Sequence, residues 1–464
     1  MHKPQTIRDL REVGYPILSV KAEMRRNLIS RLRSGGPLFP GIVGYDDTVI
    51  PQIENAVLSG HDLVLLGERG QAKTRIARAL VSLLDEEVPA IVGCEINCSP
   101  YSPICQHCRT AVAQQGDNTE IEWIGRDRRY SEKLATPDIT IADLIGEVDP
   151  IRVAEGRYLS DELTIHYGLI PRTNRGIFCI NELPDLVERI QVGLLNIMEE
   201  RDVQIRGYKV RLPIDLYVVA SANPEDYTNR GRIITPLKDR FGSQVRTHYP
   251  RTLEHEIDIM EAERSQFQDN GYAVVVPQFM KEVVAEVTHV ARRSGDVSQR
   301  SGVSVRVSIC NYENVVSSAL KRAVRSEEPQ AVPRISDLAA VIASTTGKIE
   351  IESFGEVREE RIVDKIVQSA VVRVFSQHFH EGELADVVEQ FESGVVIEAG
   401  DDVPSTEYVR AANRVPGLAR AAKTLGAGES PAAVASAIEF VLEGLHLSRK
   451  LNKDRAAGRA RYRK

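Results

Sequence analysis

The chain has 464 residues, of which 42% are hydrophobic and 27% are charged, and its formal net charge is −7. This is the composition of a globular protein long enough for roughly three domains, and the negative charge argues against a dedicated nucleic-acid binder. No apolar run approaches the roughly 18 residues that span a membrane, and the mixed-charge start lacks the apolar core of a signal peptide, so we expect a cytoplasmic protein without a membrane span.

The first 58 residues are predicted to be mostly helical. Residues 1–35 show apolar spacing broken by Gly14 and Pro16, which predicts two short helices packed against the body. A further helix is expected near Val49–Leu58. The loop before it contains Val43 and Gly44 and is placed to contact a nucleotide base.

The most informative stretch runs from Leu63 to Leu84 as an apolar strand, a loop with two glycines and a helix. Such a loop can turn its N–H groups toward a phosphate, while a lysine reaches the β- and γ-phosphates and a hydroxyl holds Mg²⁺. The candidate phosphate-binding residues are Gly67, Glu68, Arg69, Gly70, Gln71, Ala72, Lys73 and Thr74. Ala72 replaces the glycine that usually precedes the lysine, a change that we expect to leave binding intact.

Four cysteines then fall within fifteen residues, at Cys94, Cys98, Cys105 and Cys108. The spacing of the second pair is typical of thiolate zinc sites. Three interpretations stay open: zinc on all four cysteines, zinc with His107 as the fourth ligand, or reduced cysteines in an irregular insertion.

The polar residues 111–140 include the only tryptophan, Trp123, and are interpreted as a charged loop, with a partner surface as the alternative. The segment from Asp138 to Gly146 predicts a strand followed by a short helix.

Two later apolar strands end on polar side chains. Gly176–Asn181 is followed by Glu182, a residue suited to polarise an attacking water, and Leu216–Ala222 is followed by Asn223, suited to sense a γ-phosphate. Asn181 occupies a position usually held by an aspartate that orients Mg²⁺, which predicts hydrolysis that is slow or depends on partners.

Between and after these strands lie a hairpin expected to turn at Gly207 and an arginine, Arg240, that follows a helix. Arg240 is suited to act as a finger on the nucleotide of a neighbouring subunit, and a surface salt bridge is the alternative.

In this order the motifs resemble those of the AAA+ ATPases, and within them the magnesium-chelatase ATPase subunit and the MoxR group. The resemblance covers roughly residues 36–330 and rests on the following segments: Phe39–Asp47, Gly67–Thr74, Gly156–Arg175, Gly176–Leu186, the hairpin around Gly207, Ala220–Pro224 and Leu237–Gly242.

The resemblance implies an α/β P-loop core with a parallel sheet flanked by helices, a C-terminal helical lid and, here, an additional helical region. It implies ATP and Mg²⁺ as ligands, a homo-oligomeric ring, usually of six subunits, and a partner with a von Willebrand type A domain. The residue roles that it implies are these: Lys73 and Thr74 as Walker A, Glu182 as Walker B, Asn223 as sensor 1, Arg240 as the arginine finger and Arg306 as sensor 2, with Arg300 as the competitor for sensor 2.

We therefore expect four segments: an N-terminal helical segment (1–35), an AAA+ core (36–250) with a Cys-rich insertion at 94–108, a lid (251–350) and a C-terminal helical extension (351–464). The extension ends in a basic tail from Arg449 to Lys464, expected to be solvated and frayed, with a nucleic-acid or acidic-partner contact as the alternative.

The function expected from these features is ATP hydrolysis that drives remodelling, or metal-insertion-type activation, of a partner protein. One alternative is a catalytically weak nucleotide-dependent scaffold, motivated by Asn181. The other is an enhancer-binding transcriptional activator, ranked last because the sequence shows neither a polymerase-contact loop nor a convincing helix-turn-helix. The client, and any role in magnesium-porphyrin chemistry, stay open.

Overall fold

A computed structural model describes residues 3–148, 164–204, 211–223, 232–265, 271–298, 301–351, 358–428, 430–456 and 459–464. The chain divides into two compact units, Met1–His248 and Tyr249–Lys464. Among the described residues, none of the helices combines the length and the apolar character needed to cross a bilayer.

The first unit alternates helices with short strands. Its helices are α1 (Ile7–Glu12), α2 (Val20–Ser34), α3 (Val49–Leu58), α4 (Lys73–Ala79), α5 (Gln106–Gln115), α6 (Ile141–Leu144), α7 (Leu169–Arg172), α8 (Glu188–Glu199) and α9 (Thr235–Arg240). Its strands are β1 (Leu63–Leu66), β2 (Glu87–Ile91), β3 (Ile121–Gly125), β4 (Tyr130–Leu134), β5 (Gly146–Val148), β6 (Ile165–Tyr167), β7 (Gly176–Asn181), β8 (Asp202–Gln204), β9 (Arg211–Pro213), β10 (Leu216–Ala222) and β11 (Ser243–Arg246).

Five of these strands form one parallel sheet in the order β11, β1, β10, β7, β4. Every residue of β1, β7 and β10 is buried, as expected for inner strands of a sheet that is covered on both faces. Because parallel strands present their carboxyl ends at one edge, the loops after these three strands meet there. The predicted parallel sheet flanked by helices is confirmed.

The N-terminal helices are part of the first unit's core. Val20, Met24 and Leu28 of α2 are buried in the same apolar cluster as Leu63 and Leu65 of β1. In addition, the guanidinium of Arg129 forms two hydrogen bonds with the carboxylate of Glu23, 2.8 and 2.6 Å long, and both side chains are almost fully buried. The two helices predicted for residues 1–35 therefore pack against the body, as expected.

The polar segment 111–140 is more regular than a charged loop. It contains β3, which pairs antiparallel with β2, and β4, which is the edge strand of the main sheet. The prediction of a strand at Asp138 is wrong, because the described backbone there leads directly into α6, with Thr140 as its capping residue.

The hairpin predicted around Gly207 is present as the antiparallel pair β8 and β9, while Gly207 itself lies outside the described residues. Residues 156–163 of the predicted Gly156–Arg175 insertion also lie outside the described residues, and the described part of the insertion contains β6 and α7.

The second unit is mainly helical. Its helices are α10 (Leu253–Glu263), α11 (Gln278–Arg293), α12 (Val305–Arg325), α13 (Val341–Thr345), α14 (Glu359–His378), α15 (Ala385–Glu392), α16 (Ser405–Arg414), α17 (Pro416–Thr424) and α18 (Pro431–Leu447). Its strands are β12 (Ala273–Val274), β13 (Gln330–Ala331), β14 (Ile397–Ala399), β15 (Asn452–Ala456) and β16 (Arg459–Arg463). One apolar cluster runs through it from Ile257 to Tyr462, and the division at residue 350 stays a prediction.

The basic C-terminal tail is not frayed, which corrects the expectation from its charge. Strands β15 and β16 pair with each other, and β16 also pairs with β14. Tyr462 of β16 is buried, and its hydroxyl donates a hydrogen bond to Glu443, which also accepts one from Lys453 at 2.6 Å. A strand that alternates arginine with alanine and tyrosine buries one face while its charges stay in solvent.

Candidate functional site

The loop after β1 has the backbone conformation of a phosphate-binding loop. Gly70 has φ +77°, in the left-handed region that favours glycine, and a Cβ atom on Gly67 would clash with the hydroxyl of Thr247. Ala72 also has a positive φ, of 56°. A glycine is therefore usual at Ala72 for a conformational reason, and the alanine adopts the same backbone at a cost of about 1 kcal/mol.

Side chains outside the loop hold it in place. The Tyr45 hydroxyl lies within hydrogen-bond distance of two carbonyl oxygens, those of Gln71 (3.0 Å) and His248 (2.7 Å), and its single proton can be donated to either. The Gln71 side chain in turn accepts from the Thr247 hydroxyl at 2.7 Å and from the Glu68 N–H at 3.1 Å. Burial raises the pKa of Tyr45 to about 12, so its hydroxyl stays a donor at neutral pH.

Lys73, at the start of α4, is buried, and its ammonium group lies among oxygen acceptors. It donates to the carbonyl oxygens of Gly67 and Glu68, the latter at 2.8 Å, and to the side-chain oxygen of Asn223 at 2.7 Å. The ammonium group is therefore held beside the loop, where a phosphate oxygen could replace the carbonyl oxygen of Gly67 or Glu68 as its acceptor.

Asn223 links Lys73 to Glu182. Its amide nitrogen donates to a carboxylate oxygen of Glu182 at 2.7 Å, while its oxygen accepts from Lys73. Glu182 has φ 55°, a left-handed conformation that is uncommon for a residue with a side chain and is often found at functional sites. The predicted Walker A lysine, Walker B glutamate and sensor asparagine thus meet in one hydrogen-bonded chain.

Thr74 and Asn181 form the neighbouring part of the site. The Thr74 hydroxyl lies 3.5 Å from the side-chain oxygen of Asn181, which also accepts a hydrogen bond from Ser221 at 3.1 Å. Hydroxyl and amide oxygens are hard donors that suit Mg²⁺. The residues present therefore fit the ion, although Asn181 contributes no charge.

A carboxylate that the sequence did not reveal stands behind Asn181. Glu132 lies on β4, beside β7, and accepts a hydrogen bond of 2.7 Å from the amide nitrogen of Asn181. Because a carboxylate can only accept here, this bond requires the Asn181 nitrogen to face Glu132, and the oxygen then faces Thr74.

Glu132 is held as a carboxylate. Burial alone would raise its pKa, but hydrogen bonds from Arg78 (2.7 and 3.0 Å) and from the Tyr130 hydroxyl (2.9 Å) outweigh burial, and the pKa is lowered. Its negative charge is therefore present at neutral pH next to the position where the usual aspartate is missing.

The remaining predicted nucleotide contacts lie in the loop before α3 and in the loop after β1. Val43 and Gly44 are half-buried in the loop before α3, and Gly44 has φ 79°. Glu68 contributes its backbone to the loop, and the side chain of Arg69 is exposed.

The predicted arginine finger, Arg240, is not joined to the phosphate site by any hydrogen bond within the described part of the chain. Arg240, at the end of α9, donates to Glu199 at 2.9 Å and to the Pro236 carbonyl at 2.7 Å. Arg306 is exposed in the first turn of α12, in the second unit, and Arg300 lies outside the described residues.

The cysteine insertion forms a second cluster. The sulfur atoms of Cys94, Cys98, Cys105 and Cys108 all lie within 4.8 Å of one another, and all four residues are buried. The His107 side chain is exposed and is not part of this group, so of the open alternatives the one with His107 as the fourth ligand is not supported.

Several known proteins that are similar to this chain in sequence are subunits of magnesium chelatase. The chain is 29% identical over 230 residues to the magnesium-chelatase 38 kDa subunit of Rhodobacter capsulatus, a match that covers 48% of this chain and 60% of that protein. It is 24% identical over 330 residues to magnesium-chelatase subunit ChlI of Nephroselmis olivacea, covering 66% of this chain and 87% of the relative. The chain thus spans less than two thirds of the R. capsulatus protein.

Among solved structures, one complex between subunits BchI and BchD of magnesium chelatase matches with a TM-score of 0.36 and 19% identity, over 71% of this chain and 98% of the matched one. No protein-family model matches the chain. The chain is therefore similar in sequence to subunit I of magnesium chelatase, and its loop, strand ends and parallel sheet are those expected from the resemblance to AAA+ ATPases.

Proposed function

We propose that the chain binds ATP with Mg²⁺ at the loop after β1 and hydrolyses it to ADP and phosphate. The observation that carries this proposal is the hydrogen-bonded chain from Lys73 through Asn223 to Glu182. It places a cation, an amide and a carboxylate beside a loop whose backbone is shaped for phosphates.

Each side chain has a defined task in this reaction. Lys73 would bind phosphate oxygens, and the Thr74 hydroxyl and the Asn181 oxygen would hold Mg²⁺ and its water shell. Mg²⁺ neutralises the charge that develops on the phosphates. Glu182 orients the attacking water and accepts its proton, and Asn223 keeps the carboxylate of Glu182 in position.

The direct test of the binding site is nucleotide affinity in Lys73→Ala. Removing a buried ammonium that contacts phosphate is expected to weaken binding of a fluorescent ATP analogue at least about tenfold, since hydrogen bonds to a charged group contribute roughly 1.5–3 kcal/mol. Lys348→Ala, an exposed lysine of the second unit, should bind as the wild type does. Equal affinity in both variants would rule the site out.

The protein is further proposed to work as a homo-oligomeric ring, with six subunits as the expected number. In that assembly Arg240 would act on the nucleotide of a neighbour, and Arg306 would act as sensor 2. The proposal is supported by the resemblance in motif order. It also agrees with the hydrogen bonds of Arg240, none of which, among the described residues, reaches the phosphate site of its own subunit.

The proposed client is a protein with a von Willebrand type A domain, an expectation that rests on the resemblance. A ring blocked by Glu182→Gln should retain ATP and hold such a client, so that co-purification followed by mass spectrometry identifies it. Recovery of the same proteins with Lys73→Ala, which should not hold ATP, would argue against nucleotide-dependent capture.

Mg²⁺ is the only metal ion that the phosphate site itself requires in this proposal. The insertion that carries the buried cysteines is bonded through the Ile96 carbonyl to Asn174, before the amino end of β7, whereas Asn181 stands at the carboxyl end of that strand, so the cysteines are separate from the Mg²⁺ site.

A further inference from the structure

Four thiols converge in the insertion after β2. The sulfur atoms of Cys94 and Cys105 are 3.9 Å apart, and those of Cys98 and Cys105 are 3.6 Å apart. Four sulfurs at about 2.3 Å from a tetrahedral Zn²⁺ lie about 3.8 Å from one another. These separations are far longer than a disulfide bond of about 2.05 Å, and all four cysteines are free.

The backbone around the cluster is arranged to stabilise negatively charged sulfur. The N–H groups of Cys98, Ile104 and Cys108 donate to the sulfurs of Cys94, Cys98 and Cys105 at 3.2, 3.4 and 3.4 Å. Hydrogen bonds of this kind orient thiolate ligands and offset their charge.

The cluster offers sulfur alone. None of the four side chains is more than 5% exposed, and the group contains neither a carboxylate nor an imidazole. Four thiolates favour Zn²⁺ over the oxygen-seeking ions Mg²⁺ and Ca²⁺, and a complete set of four leaves no open position for a substrate.

The insertion is hydrogen-bonded to the segment that leads into β7, an inner strand of the parallel sheet. The Asn97 side chain donates to the Arg172 carbonyl at 3.0 Å, and the Asn174 side chain donates to the Ile96 carbonyl at 3.0 Å. An ion held here would therefore fix the insertion against the segment that enters β7, on the side away from the phosphate site.

We propose that Cys94, Cys98, Cys105 and Cys108 bind one Zn²⁺ ion as a structural tetrathiolate site. On binding, the thiol protons pass to solvent and four Zn–S bonds form, with no change of oxidation state. The site serves to hold the insertion folded and takes no part in nucleotide chemistry, so the proposal stands independently of ATP hydrolysis.

Metal analysis of the purified full chain tests the proposal. We expect about one Zn²⁺ per chain in the wild type and in Cys310→Ser, a cysteine of the second unit, and less than about a tenth of that in Cys105→Ser/Cys108→Ser. Two results would overturn the proposal: wild-type protein that contains no zinc after refolding in excess Zn²⁺, or a double variant that keeps its zinc.

A second measurement decides the case if the double variant does not fold. Wild-type protein loaded with Co²⁺ should show the intense visible absorption of a tetrahedral thiolate complex, and Zn²⁺ should displace it. Alkylation should modify four further cysteines of the six once a chelator has removed the metal. An octahedral cobalt spectrum, or equal alkylation with and without chelator, contradicts a tetrathiolate site.

Discussion

A hydrogen bond from a neighbouring strand orients the side chain of Asn181. Glu132 accepts from its amide nitrogen at 2.7 Å, so the amide oxygen faces Thr74. The aspartate that is usual at this position supplies both an oxygen and a charge. Here Asn181 supplies the oxygen, and Glu132, the hydrogen-bond partner of its amide nitrogen, supplies the negative charge.

If Glu132 positions Asn181 for Mg²⁺, then Glu132→Gln should weaken the effect of Mg²⁺ on nucleotide binding. The concentration of Mg²⁺ that half-maximally enhances binding of a fluorescent ADP analogue is expected to rise about tenfold or more, since changing a residue behind a metal ligand costs 10- to 100-fold in affinity. Binding without Mg²⁺ should not change.

A control and a rescue make this test specific. Glu122→Gln removes a carboxylate that pairs with Arg128 at a partly exposed site, and it should leave the Mg²⁺ dependence unaltered. Glu132→Gln/Asn181→Asp restores one carboxylate and one amide in exchanged positions, and it should recover most of the lost Mg²⁺ affinity. Wild-type behaviour of Glu132→Gln would show that Glu132 has no such role.

The residues that form the site could be predicted to different degrees. Lys73, Glu182 and Asn223 were recognisable because each follows an apolar strand, and strand ends are where parallel sheets place their ligands. Glu132 gave no such signal, since β4 reads Tyr-Ser-Glu-Lys-Leu and lies in a polar segment. Only its pairing with β7, about fifty residues later, brings Glu132 to Asn181.

At the scale of elements, α2 is tied to the sheet by a buried ion pair. Glu23 and Arg129 are joined by two hydrogen bonds, and Glu23 also accepts one of 2.6 Å from the Asp85 N–H. The pair fixes the helix against the segment between β3 and β4.

Glu23→Gln should destabilise the first unit by about 3 kcal/mol, because breaking a buried pair leaves Arg129 without a compensating charge. Trp123, the only tryptophan, lies on β3 and reports unfolding of this unit by fluorescence in urea. Asp117→Asn, which breaks the exposed pair with Arg11, is the control and should cost less than about 1 kcal/mol. A loss of the same small size in both variants would mean that the buried pair does not anchor α2.

Elements with regular apolar spacing were the predictable ones. The helix predicted near Val49–Leu58 has those bounds. The basic tail was misinterpreted because its charge concealed an alternation of period two, in which Ala460 and Tyr462 face inward. Its pairing with β14 joins residues more than sixty positions apart, which local pattern cannot reveal.

At the scale of the whole molecule, the chain has two units with separate apolar cores. The phosphate site, with Lys73, Glu182 and Asn223, belongs entirely to the first unit. The proposed ring adds a requirement that no single subunit meets, because Arg240 would act on the nucleotide of a neighbour.

Mixing two inactive variants tests this requirement. Lys73→Ala keeps Arg240 but should not bind ATP, whereas Arg240→Ala should bind ATP but lack the finger. In randomly mixed rings, about one interface in four joins the phosphate site of an Arg240→Ala subunit to the intact Arg240 of a Lys73→Ala subunit. Hydrolysis should therefore recover to about a quarter of the wild-type rate. No recovery, with mixed assembly confirmed by native mass spectrometry, would exclude a finger acting between subunits.

Phosphate release measured together with ATP binding tests the central claim most directly. With Mg²⁺ and ATP, the wild type should release phosphate above the rate without protein. Glu182→Gln should bind ATP as the wild type does and release phosphate at least about 100-fold more slowly, since a general base contributes 10²- to 10⁴-fold. A wild-type protein that binds ATP without hydrolysing it, or a Glu182→Gln variant with the wild-type rate, would contradict the proposed ATPase.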